Sequence, residues 1–149
     1  MLDIDLVFAI LHHLAVFTLV GIIAAEFALL RPGIAGLRLG QLVGVDRVYG
    51  IAAGLVIVIG VLRVIFGGKG WEFYVTSPSF WAKMAAFVVV GLLSIQPTMT
   101  LGRWNKVLGS EPGFAAPPGE IAASRKFIRA EIAVLILIPI FAAAMARGY

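Results

Sequence analysis

The chain contains no cysteine. Disulfides, thiolate metal sites, iron–sulfur clusters and CxxC redox chemistry are therefore excluded. Charge is scarce as well, at 13% of the 149 residues, against roughly 25% in ordinary soluble domains. Serine nucleophile elbows, phosphate loops and HExxH are missing, which argues against hydrolysis and nucleotide chemistry. The start, Met-Leu-Asp-Ile-Asp, lacks the basic n-region of a cleaved signal peptide, so the first apolar run is expected to stay in the mature protein. What is present is apolar: 61% of the residues are hydrophobic, the composition of a membrane protein. The net charge of +4 sits mostly in two loops beside apolar runs. That is a topology signal, and no nucleic-acid partner is expected.

Four runs are long enough to cross a bilayer, at about 4–30, 47–66, 79–102 and 122–146. Backbone groups in lipid have no water to bond with, so each run is expected to be a helix. The expected fold is all-α, an integral membrane four-helix bundle forming a single domain over 1–149. Arg31, Arg38 and Arg47 mark the first connection, and Arg103, Lys106, Arg125, Lys126 and Arg129 mark the third. The second has only Arg63 and Lys69. The positive-inside rule then puts the N- and C-termini outside.

The connections carry their own expectations. Arg31-Pro32-Gly33 stops the first helix. Gly36, Gly40 and Gly44 suit either a short interfacial helix over Ile34–Val43 or a mobile glycine-rich loop. Asp46 is expected to cap the second span, and Gly50 with Gly54 offers a small-xxx-small face for a homo-oligomer. Trp71, Phe73, Tyr74, Phe80 and Trp81 suit an aromatic belt at the outer interface or the wall of a flat ligand. Ser77-Pro78 reads as a cap with a first-turn proline, Pro97 as a kink, and 109–119 as a flexible cytoplasmic loop.

Ionisable groups inside the spans are the candidates for chemistry. The two histidines, His12 and His13, are adjacent, and successive helical residues turn by about 100°, so they cannot face one partner. The stripe His12, Val16, Leu19, Ile23, Glu26 follows a heptad, with Glu26 ~21 Å along the axis from His12. Lys83 lies at a depth similar to that of His12, either snorkelling to the interface or facing inward to bind an anion or move a proton. Glu131 needs a cationic partner, for which Arg47 and Arg103 are the candidates. A lone histidine cannot make a zinc site, which takes four ligands. It can serve as the axial ligand of haem, and without cysteine that haem would be b-type. The alternative is a histidine merely hydrogen-bonded to another helix.

The ordered set Leu11-His12, Arg31, Arg47-Val48-Tyr49, Phe80-Trp81-Ala82-Lys83, Leu101-Gly102-Arg103-Trp104 and Lys126-Phe127-Ile128-Arg129-Ala130-Glu131 resembles HemJ-type protoporphyrinogen oxidases. These are small four-helix bacterial membrane proteins that bind haem b. The chain is also similar to an uncharacterised group of predicted four-helix membrane proteins. His13 has no counterpart in the HemJ pattern. The resemblance implies His12 as the iron ligand and Lys83 as a functional lysine in a bacterial inner membrane. It also implies oxidation of protoporphyrinogen, with electrons passed to a quinone. The candidate site is then His12 on the metal, Lys83 as catalytic residue and haem contact, and Arg63 and Trp81 as further cofactor-binding residues. The competing function is non-enzymatic, a copper-resistance-like transport component or complex subunit in which His12 and Lys83 only pair with other helices.

Overall fold

A computed structural model describes residues 4–148. Its helices are α1 (Ile4–Leu29), α2 (Gly36–Phe66), α3 (Trp71–Val75), α4 (Pro78–Ser110) and α5 (Pro118–Ala146). No strand occurs among the described residues, and α1, α2, α4 and α5 are long and apolar enough to cross a membrane. The chain is an all-helical membrane bundle of two hairpins. α1 packs along α2 and α4 along α5, while α2–α4 and α1–α5 contacts join the pairs. The start of α1, the end of α5 and α3 lie at one end, called the terminal end below; the first and third connections lie at the loop end.

Side-chain placement follows from the solvent being lipid. Leu14, Phe17, Ile51, Val58, Val88 and Leu92 are exposed, as expected where hydrocarbon outside is no less apolar than the interior. The heptad stripe of α1 turns inward, and Leu19, Ile23 and Glu26 are its buried residues. The tightest packing is at the loop end, where Leu30, Leu39, Leu42, Leu101, Trp104 and Ile128 are at most 1% exposed.

Three helices run further toward the loop end than their apolar runs. α2 begins at Gly36 rather than 47, α4 continues to Ser110 rather than 102, and α5 begins at Pro118 rather than 122. The 31 residues of α2 rise ~46 Å, beyond the ~30 Å of hydrocarbon, so their polar ends lie where composition no longer marks a helix. The glycine-rich stretch 36–44 is thus neither a mobile loop nor a separate interfacial helix, but the first turns of α2. Gly36 is needed there: its φ is +52°, and a Cβ would stand 3.3 Å from the Pro112 carbonyl oxygen.

Other expectations change with the longer helices. Asp46 lies inside α2, ten residues beyond its start, and does not cap it. Its Oδ1 accepts a hydrogen bond from Thr98 of α4 at 2.8 Å. The 109–119 segment is pinned: Gly36 N–H donates to the Phe114 carbonyl at 3.0 Å and Ala116 N–H to the Ile34 carbonyl at 3.1 Å. These bonds form an antiparallel bridge between Ala35 and Ala115. Ser77 flanks α4 with Pro78 in the first turn, but its side chain makes no capping bond. α4 continues as one helix through Pro97. Gly50 and Gly54 are exposed, with open space where a Cβ would stand.

Candidate functional site

The heptad stripe that buries Leu19 and Ile23 brings His12 to the inner side of α1 about two turns nearer the terminal end than Leu19. There the two hairpins diverge around a cavity of about 630 Å³. α2 contributes Val56, Gly60 and Arg63, and α4 contributes Phe80, Lys83, Met84 and Phe87. Each set follows i, i+3, i+4 or i+7 spacing, so each is one helical face. α5 closes the cavity with Ile132, Leu135 and Pro139.

His12, Arg63 and Lys83 therefore share one largely apolar cavity. His12 stands in the electrostatic field of both cations. Its Nδ1 is buried without a hydrogen-bond partner, as is Arg63 Nε. The imidazole packs against α2 at Gly60, where a Cβ would lie 3.5 Å from His12 Cε1, an ordinary van der Waals contact. Lys83 is half-buried and turned into the bundle, with Nζ 5.5 Å from the Phe80 ring centre. Trp81 is not on the cavity wall. It is 57% exposed, and its indole N–H donates to the Val75 carbonyl at 2.9 Å, tying α4 to α3. Tyr74, one of the aromatics that suit either an interfacial belt or the wall of a flat ligand, is buried and lines the cavity.

The family model described as "Predicted membrane protein (DUF2214)" matches residues 4–149. The chain belongs to this family. No curated protein and no solved structure matches it.

In this DUF2214 chain a second polar group lies nearer the loop end. Glu26 and Glu131 are 2% and 1% exposed, and Glu26 stands in the field of Asp46 and Glu131. Glu131 is not in the ion pair expected with Arg47 or Arg103. Instead the Tyr49 hydroxyl donates to its Oε1 at 3.1 Å. Arg103 is engaged elsewhere, with Nη1 and Nη2 each 3.1 Å from the two oxygens of Glu120, which also accepts the Trp104 indole N–H at 2.6 Å. Among the described residues, no group of three or more histidine and carboxylate side chains is placed to hold a metal ion.

Tyr49 and Glu131 both stand in the ordered motif set, but nothing in the sequence pairs them with each other. The α2 and α4 faces of the cavity did carry a signal. Val56-Gly60-Arg63 and Phe80-Lys83-Met84-Phe87 are helical stripes converging on charges.

Proposed function

We propose that this membrane protein binds haem b in the cavity at the terminal end, with His12 as axial ligand and Lys83 and Arg63 as counter-charges for the propionates. The observation that carries the reading is the convergence on one apolar cavity of an imidazole and two cations. The donor set fits the group. Porphyrin brings four nitrogens of its own and needs one histidine from the protein, and cation pairs recognise carboxylates. The volume of about 630 Å³ lies within the ~300–1,000 Å³ typical of ligand pockets.

Haem b, when bound, supplies one-electron chemistry. The chain does the rest. Val16, Leu19, Val56 and Phe87 exclude water, Gly60 packs against the imidazole, and Lys83 holds a proton at Nζ on the cavity wall. The HemJ resemblance extends the reading to an oxidoreductase acting on protoporphyrinogen in a bacterial inner membrane, with both termini outside. Two experiments separate these levels. An absorption spectrum of the detergent-purified protein, expressed with ample haem supply, should show a Soret band that is lost in His12→Ala and kept in His13→Ala; a colourless, folded preparation overturns the reading. Complementation of a strain lacking protoporphyrinogen oxidase tests the reaction, and failure of a well-expressed protein removes that reaction alone.

A further inference from the structure

The cavity is not closed to the bilayer. Phe17, Val20 and Ala24 of α1 and Ile136 of α5 line it, yet Phe17 is 70%, Val20 42% and Ile136 59% exposed. His13 also lines it, and His13, Phe17, Val20 and Ala24 share one face of α1 at i, i+4, i+7 and i+11. The face of α1 that meets α2 is another one: Thr18, Ile22 and Ala25 share a crevice with Gln41, Val45 and Val48. The His13 face is thus turned away from α2, and with Ile136 it frames an opening between α1 and α5.

His13 is set differently from His12. Its Nδ1 lies 2.7 Å from the Ala9 carbonyl oxygen. A carbonyl only accepts, so Nδ1 carries the proton and donates it, which leaves the lone pair of the neutral ring on Nε2. The same bond holds the ring's orientation, as backbone carbonyls do for ligating imidazoles. His13 is exposed on a helix that crosses the membrane, where no water answers an acceptor. An Nε2 lone pair on this face has room for a donor from the bilayer.

We propose that the α1–α5 opening is a binding site for an apolar, bilayer-borne alcohol or phenol, whose hydroxyl donates to His13 Nε2 while its body lies along Phe17, Val20 and Ile136. This site is the lipid-facing mouth of the cavity proposed for haem, but it uses neither His12 nor Lys83.

The probes are 4-nonylphenol and its methyl ether, which share an apolar body and differ in the O–H donor. Their binding to the full chain in lipid nanodiscs is measured by competition against a fluorescent alkylphenol. Wild type should bind the phenol roughly tenfold more tightly than the ether, the worth of one hydrogen bond. His13→Phe should remove that difference, and His13→Gln, which keeps a side-chain acceptor, should restore most of it. Ile136→Trp, which narrows the opening, should weaken both probes. Equal binding of phenol and ether by the wild type overturns the site whatever the variants do. A preference that survives in His13→Phe overturns the assignment to His13. Neither outcome touches the Soret band, so the haem reading is judged separately.

Discussion

The two ends of the bundle treat their charged groups differently. At the loop end the charges are matched: Arg103 and Trp104 meet on Glu120, and Arg125 Nη1 donates to the carbonyls of Phe27 and Leu30 at the end of α1. The connections are sewn together by backbone bonds. At the terminal end His12 Nδ1 and Arg63 Nε are buried without partners around a cavity of about 630 Å³. An unanswered buried polar group costs on the order of 1–3 kcal/mol. The loop end pairs its charges but also leaves Ser124 Oγ unanswered, so what sets the terminal end apart is that its open imidazole and guanidinium nitrogens belong to side chains lining a cavity.

The largest expected effect breaks the comparison at the cavity. His12→Ala should abolish the Soret band and leave the helical circular dichroism and the Tm of the ligand-free protein near wild type. An equal loss of fold would mean that His12 belongs to the structural end.

The loop end should respond in the reverse sense. Arg125→Ala removes two hydrogen bonds to the last carbonyls of α1, a cation at that helix C-terminus, and a guanidinium 4.1 Å from the Phe27 ring centre. The combined loss should be about 2–3 kcal/mol, read as a clear fall in Tm with the Soret position unchanged. Tyr49→Phe is a smaller cut in the same direction. It takes one interhelical hydrogen bond from Glu131, and such bonds in membrane bundles contribute ~0.6 kcal/mol on average, with a maximum near 1.7. A fall in Tm of a few degrees is expected, again without a spectral change.

How much of this was legible depended on the solvent each residue meets. The four spans were visible because hydrocarbon demands ~20 apolar residues in a row. His12 and Lys83 stood out because a charge in such a run is costly. Beyond the hydrocarbon that contrast fades. Residues 36–46 mix glycine, arginine and leucine, yet Leu39, Leu42 and Val43 are buried at helical spacing in α2. The longer helices and the pinned 109–119 connection were hidden for that reason. Partner choice was hidden too: Arg47 and Arg103 were the cations in reach of sequence reasoning, and Glu131 is answered by the uncharged Tyr49. Trp81 was grouped with the cofactor by its position near Lys83, but it is two residues away, a turn of about 200° on the helix, and it faces outward.

The smallest expected effect sharpens the boundary between the two ends. Gly60 touches the site only through the space it leaves, since a Cβ would meet His12 Cε1 at 3.5 Å, an ordinary van der Waals separation. Gly60→Ala should therefore leave both Tm and spectrum near wild type, with helix propensity adding at most ~1 kcal/mol of stability. Gly60→Val places branched methyls beyond that Cβ and against the imidazole, so it should shift the Soret band while Tm stays close to that of Gly60→Ala. If the valine instead lowers Tm and leaves the spectrum alone, the His12 ring is packed as part of the core rather than held ready for a ligand. The contrast between the two ends would then come from packing and not from function.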